Sequence, residues 1–273
     1  RLLRQPFSQK NGVDQMELEK INVRGVNVAN VTMDEAVRFI DENVQNGVQT
    51  AVFTPNAEIV QLAIDDASFC DLINSAELVV PDGVGVVKAA RILGTPLKGK
   101  VAGIELGERV LRLSAEKGLG VFFFGSKDAS RTESGVSVAD QCKKIFEEKY
   151  PDIRIVGTRD GYCAKEGEEN EETLRIINGS GADVLFVCLG APLQEKWIAA
   201  NRDRLPGVKV LLGLGGSLDV YSGNLKRAPK IFIKLGLEWL YRLLCEPKRI
   251  GRMMSLPKFY FGTRRFKRAQ KKN

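Results

Sequence analysis

From about residue 20 the chain alternates two kinds of hydrophobic pattern. Short β-branched or aromatic runs predict strands over Ile21–Val28, Thr50–Phe53, Leu78–Val80, Gly120–Phe124, Ile153–Val156, Val184–Leu189 and Val208–Leu212. Between them apolar positions recur at helical spacing. They predict helices over Met33–Asn46, Glu58–Ala67, Val84–Leu93, Ile104–Lys117, Ala129–Lys149, Glu168–Asn178, Gln194–Asp203 and Lys230–Cys245, with Thr32 placed to cap the first. Runs such as GVFFFG at 120–125 and DVLFVCLG at 183–190 are apolar throughout, as strands covered on both faces are. Alternation of this kind specifies an α/β fold, an open and mostly parallel sheet with helices on both faces. No internal repeat or low-complexity linker calls for a second domain.

Ligands of such sheets sit beyond the carboxyl ends of the strands. Asp82 stands there, between Val80-Pro81 and Gly83-Val84-Gly85, where a carboxylate can act as a general base. The same position suits an N-cap for the helix beginning at Val84, and spacing does not choose between the two. Thr54 and Asn56 flank a proline and can hydrogen-bond sugar hydroxyls, or can serve the turn itself. Gln194 and Glu195 open a helix after Gly190-Ala191-Pro192; they can reach a ribose or sugar, and an early Glu equally suits helix initiation. Gly125, and Gly213 and Gly215 of GLGGS at 213–217, leave backbone N–H groups unobstructed for a pyrophosphate, although tight turns use glycine in the same way.

Composition narrows the chemistry. The chain has 273 residues and no histidine, which removes imidazole bases, Ser-His-Asp triads and His-ligated metals. Its five cysteines form no CxxC pair and read as reduced, buried small hydrophobes. There is no Asp-x-Asp pair to hold a divalent ion on a nucleotide-sugar, no GxGxxG opening a first βα unit and no GxxxxGK[ST]. Neither a metal nor a cofactor is therefore expected, and phosphate charge would be met by Lys, Arg and helix N-termini.

The formal net charge of +7 is unevenly placed. Residues 1–225 carry 26 Lys and Arg against 32 Asp and Glu, a net of −6, whereas residues 226–273 carry 15 against 2, a net of +13. Over Lys226–Leu244 and Lys248–Phe261 the basic residues are interleaved with Ile, Leu, Met, Phe, Tyr and Trp. That mixture predicts an interfacial helical segment on an anionic membrane surface, against the alternative of a solvated basic face packed on the body. No uncharged stretch approaches the ~18 residues a membrane span needs, and no early segment has the pattern of a secretory signal.

Several ordered motifs together resemble the WecG/TagA/CpsF family of glycosyltransferases, glycosyltransferase family 26. They are TPNAEIV at 54–60, PDGVGVVKAARILG at 81–94, KVAGIEL at 100–106, GAPLQEKW at 190–197, GLGGSLDVYSGNLKRAP at 213–229 and LGLEWLYRLLCEPKR at 235–249. The resemblance implies a Rossmann-like enzyme that moves an N-acetylmannosamine-type sugar from a UDP donor to undecaprenyl-diphosphate-linked GlcNAc. The new linkage is β-1,4, made with inversion, and the products are lipid-linked precursors of wall teichoic acid or related surface polysaccharides. By similarity Asp82 matches the base, and Thr54, Asn56 and Gln194 match pocket residues. Arg242, Arg249 and Arg252 match a C-terminal appendage that completes the active site at the membrane. Lys100 stands where the family often has Arg, keeping charge without bidentate geometry.

The domain expectation that follows is an N-terminal extension over 1–17, a catalytic domain over 18–229 and a basic appendage over 230–273. The expected partners are the UDP-sugar, the lipid acceptor and the anionic inner face of the plasma membrane, not nucleic acid. A tail that must dock is compatible with self-association away from the membrane. UDP-N-acetylmannosaminuronate is the alternative donor. Outside the family, a dinucleotide-dependent oxidoreductase and a nucleic-acid-binding protein are the competing classes.

Overall fold

The computed structural model describes residues 17–163, 165–235, 237–245 and 250–270. The expected extension over 1–17 therefore lies outside the described residues except for Glu17. A hairpin of β1 (Lys20–Val23) and β2 (Val26–Ala29) precedes a sheet of β3 (Thr50–Phe53), β4 (Leu78–Val79), β5 (Gly120–Gly125), β6 (Arg154–Arg159), β7 (Val184–Cys188) and β8 (Val210–Gly213). The order in this sheet is β4-β3-β8-β7-β5-β6, and every pairing is parallel.

Alternate residues of each strand enter two separate cores. Phe53, Phe122, Phe124, Leu185, Val187 and Leu211 face one way. That layer holds α2 (Ala57–Asp65), α3 (Ala67–Asn74), α4 (Gly83–Leu93), α7 (Gly167–Ser180), α8 (Leu193–Asn201) and α13 (Ser255–Gln270). Val52, Val121, Phe123, Phe186, Val210 and Leu212 face the other. Against them pack α1 (Met33–Gln45), α5 (Gly103–Lys117), α6 (Val138–Lys149) and α9 (Ser217–Tyr221). Period-two alternation of wholly apolar strands is what a doubly covered sheet requires.

Local chemistry fixes several boundaries. Thr32 and Glu35 form a reciprocal capping box at α1. In place of the single strand expected over Ile21–Val28, the chain turns at Arg24 and Gly25, both at positive φ, and pairs back on itself. The helix expected over Glu58–Ala67 stops at Asp66, whose side chain caps α3 through the Phe69 amide. The helix expected over Ala129–Lys149 begins only at Val138, where Ser137 accepts from the Asp140 amide. Beyond α9 the chain forms α10 (Lys230–Leu235), α11 (Glu238–Cys245) and α12 (Ile250–Met253), so the expected Lys230–Cys245 helix is two helices.

The closing helix α13 lies against α2 and α4. Phe259 and Thr263 are buried there, Lys258 pairs with Asp65 at 2.7 Å, and Lys267 donates to the Leu93 carbonyl at 2.6 Å. All five cysteines are free thiols, but the expectation of buried thiols holds only for Cys142 and Cys188. Cys70 and Cys163 are half-buried, and Cys245 is exposed. No described helix is long and apolar enough to cross a membrane.

Candidate active site at the carboxyl edge of the sheet

β5 continues through α6 to β6 on one side of the sheet, whereas β7 continues through α8 to β8 on the other. The carboxyl ends of β5 and β7, where the two connections part, form a topological switch point of the kind at which open α/β sheets take ligands. The loops around it are tied together by backbone bonds. Val80 donates to the Phe53 carbonyl at 2.9 Å, Asp82 to Pro55 at 3.2 Å and Val101 to Pro81 at 2.9 Å. Farther along, Leu214 donates to Val187 at 3.2 Å and Ser126 to Cys188 at 3.1 Å. These bonds tie the segments after β3 and β4 into one group and those after β5, β7 and β8 into another, and the Thr54 hydroxyl joins the two groups through the Gly213 carbonyl.

Asp82 occupies the N-cap position of α4, half-buried, yet its side chain makes no capping hydrogen bond. The structural use of this aspartate left open by the sequence is thus not the one realised. Two glycines frame it for different reasons. Gly83 has φ +79° with open space where a Cβ would stand, whereas a Cβ at Gly85 would lie 2.9 Å from that of Ala57, so Gly85 lets α4 approach α2.

Thr54 is only 7% exposed, and its hydroxyl donates to the Gly213 carbonyl at 3.3 Å, joining the ends of β3 and β8. Gly103 makes room for it, since a Cβ there would meet Thr54 Oγ1 at 2.8 Å. Asn56 caps α2: its Oδ1 accepts from the amides of Glu58 and Ile59 at 2.9 and 3.1 Å, which leaves Nδ2 as the group with which it can donate to a ligand.

Gln194 is 2% exposed and Glu195 1% exposed. Gln194 Oε1 accepts from the amides of Gly190 and Gly215 at 3.2 and 2.7 Å, and its Nε2 donates to Glu195 Oε1 at 2.8 Å. Both side chains, expected to reach a sugar, face inward. The amides of Leu214, Gly215 and Ser217 likewise donate within the protein, so GLGGS presents fewer amides to a pyrophosphate than its glycine content suggests. Gly213 enters the site by packing, with a Cβ there meeting Gln194 Nε2 at 3.2 Å.

Gly125, at φ +130°, lies so close to β7 that a Cβ would stand 2.4 Å from the Cys188 carbonyl oxygen. Ser126, beside it, holds a left-handed φ of 62° and donates from its hydroxyl to Asp219 at 2.8 Å. The sequence places the Gly125-Ser126 pair just after a strand, where ligands are sought, but does not single out its partner Asp219. The available signal was a Gly-Ser pair closing the apolar run of β5, and strain of this kind gathers at binding sites.

Lys100, expected to meet phosphate, pairs with Glu238 of α11 at 3.2 Å and so joins the loop before α5 to the tail. Arg227 pairs with Glu105, a second link between the same regions. Of the three tail arginines, Arg242 falls in α11 and Arg252 in α12, and Arg249 lies outside the described residues. Among the described residues no three Cys, Asp or Glu side chains are grouped so as to hold a metal ion.

Comparison with known proteins bears on this edge and on the tail together. The model of the glycosyl transferase WecG/TagA/CpsF family matches residues 21–273. The chain is also similar to the N-acetylglucosaminyldiphosphoundecaprenol N-acetyl-beta-D-mannosaminyltransferases of Staphylococcus aureus strains MRSA252 and COL. Each is 35% identical over 255 residues, which cover 93% of this chain and 95% of the relative.

Proposed function

The chain belongs to the WecG/TagA/CpsF glycosyl transferase family, and from that premise we propose that it transfers N-acetylmannosamine from UDP-ManNAc to the C4 hydroxyl of GlcNAc-diphospho-undecaprenol. The product is a β-1,4-linked lipid intermediate of wall teichoic acid or a related surface polysaccharide. The observation that carries this reading is the family match over residues 21–273, with a carboxylate, Asp82, standing at the carboxyl edge of the sheet.

Inversion needs one base on the acceptor side while UDP leaves from the opposite face of the sugar. Asp82 takes the proton of the acceptor hydroxyl as the new C–O bond forms and the bond to UDP breaks. In this reading Asn56 Nδ2 donates to the donor sugar, and the Gly125, Gly190 and Gly215 loops receive the nucleotide-diphosphate. The leaving diphosphate draws its positive charge from Lys100, Arg242, Arg249 and Arg252, without a metal ion. In this role Lys100 exchanges Glu238 for phosphate oxygen.

The acceptor is a membrane lipid, and the tail supports a surface-bound enzyme on the inner face of the plasma membrane. Ile231, Trp239, Leu244, Ile250 and Met254 are exposed among the basic residues of this segment. Aromatic and aliphatic side chains mixed with Lys and Arg suit an anionic interface. Because α13 is packed on α2 and α4, the docking part of the 230–273 appendage is the stretch before Ser255. Transfer of radiolabel from UDP-ManNAc to a lipid-diphosphate-GlcNAc acceptor tests the reading. No transfer from this donor, with transfer from UDP-N-acetylmannosaminuronate, would move the assignment to the uronate.

A further inference from the structure

The Gln194 carboxamide spans the two loops in the middle of the carboxyl edge. Gly190 follows β7, Gly215 follows β8, and both are left-handed, at φ +80° and +49°. Each gives its N–H to Gln194 Oε1, which fills the two lone pairs of that oxygen. The orientation of the carboxamide therefore sets the separation and facing of the two loops. Its other end is held by Glu195 Oε1.

Glu195 is an expensive residue to place here. It is buried, and its second oxygen, Oε2, has no hydrogen-bond partner. An apolar side chain of similar size would leave no orphaned oxygen and would pack at lower cost. What it would not supply is the acceptor for Gln194 Nε2.

We propose that Glu195 is a positioning residue for the donor: by accepting from Gln194 Nε2 it locks the carboxamide that holds the Gly190 and Gly215 loops at the width a nucleoside-diphosphate sugar requires. At 1% exposure it touches no substrate itself. Burial, against a lesser opposing effect of the Gln194 hydrogen bond, pushes its carboxyl up to about 7. The neutral acid is thus the form in which the buried pair is most readily kept, and a carbonyl-type oxygen suffices for the task. This inference rests on the transferase reading for the identity of the donor.

The test compares Glu195→Met with Glu195→Gln in the full chain, measuring UDP affinity by calorimetry and the KM for UDP-ManNAc, the KM for acceptor and kcat in the transfer assay. Loss of the acceptor for Nε2 is expected to raise both UDP Kd and donor KM about tenfold in the Met variant, as the loss of one buried hydrogen bond does. Acceptor KM should stay unchanged and kcat at saturating donor should change by less than about threefold. The Gln variant, whose Oε1 can still accept from Gln194, should return donor KM to within about threefold of wild type.

Wild-type UDP affinity in the Met variant overturns the proposal. So does a uniform loss of kcat and of both KM values that Gln fails to rescue, which is the mark of a merely structural role. If the Met variant does not fold, Glu195→Asp, which withdraws the acceptor by one methylene, takes its place with the same expected outcome. Should wild type transfer nothing from UDP-ManNAc, the donor assignment fails, while UDP affinities across the variants still decide the role of Glu195.

Discussion

Glu195→Gln also separates a buried neutral acid from a buried carboxylate through its effect on stability. The ordinary glutamate value of 4.5 is raised to about 7 in the folded chain, with burial as the main cause. Between those values the folded chain keeps a proton that the unfolded chain releases, so stability falls as pH rises. The contribution is fully present below about pH 4.5 and lost as pH passes through about 7. The rise from 4.5 to about 7, at 1.36 kcal/mol for each tenfold change in proton affinity, amounts to about 3 kcal/mol. Gln has no proton to lose, so the stability of the variant relative to wild type should rise by about that amount between pH 4.5 and pH 8. Urea unfolding of the two proteins at matched pH reads the difference, in which all other titrating groups cancel. With a slope of about 3 kcal/mol per molar, the midpoints should separate by roughly 1 M urea at pH 8 and converge at pH 4.5. Parallel midpoints at every pH, or a wild type that gains on the variant as pH rises, would show Glu195 ionised in the fold and refute the reasoning.

Further outcomes follow from other parts of the edge. Gly125→Ala should lower stability by more than about 2 kcal/mol and weaken UDP binding, because the added Cβ meets the Cys188 carbonyl and φ is unsuited to alanine; thermal melting and calorimetry check both. The double variant Trp239→Ser/Leu244→Ser, which removes two exposed apolar side chains and leaves α13 in place, should lose sedimentation with anionic liposomes while keeping UDP affinity. Unchanged sedimentation would place membrane contact elsewhere. Transfer should persist in EDTA, and loss restored by Mg²⁺ or Mn²⁺ would contradict a diphosphate neutralised by Lys and Arg alone.

The strands were legible because a doubly covered parallel sheet demands wholly apolar runs, and Thr50–Phe53 coincides with β3 as read. The hairpin was not. Asn22-Val23-Arg24-Gly25-Val26 carries its turn signal in one Arg-Gly pair within an otherwise β-rich run. Likewise Gly135 and Ser137, which delay α6, are weak beside the helical periodicity that follows. At the site, position was legible and partnership was not. Thr54, Asn56, Asp82 and Gln194 all lie on the carboxyl edge as their place after strands implied. That Gln194 and Glu195 turn inward, and that Lys100 meets Glu238, depends on burial and on segments 138 residues apart, neither of which a local pattern contains.

In the function proposed above, Asp82 is the base of an N-acetylmannosamine transferase. The most direct measurement of that role is radiolabel transfer from UDP-ManNAc to a lipid-diphosphate-GlcNAc acceptor by wild type and Asp82→Asn, with UDP affinity and melting temperature measured alongside. Wild type should transfer, and the variant should keep its fold and UDP affinity while its rate falls by about 10²- to 10⁴-fold, the contribution of a positioned general base. A folded, UDP-binding Asp82→Asn protein that transfers at the wild-type rate would contradict it.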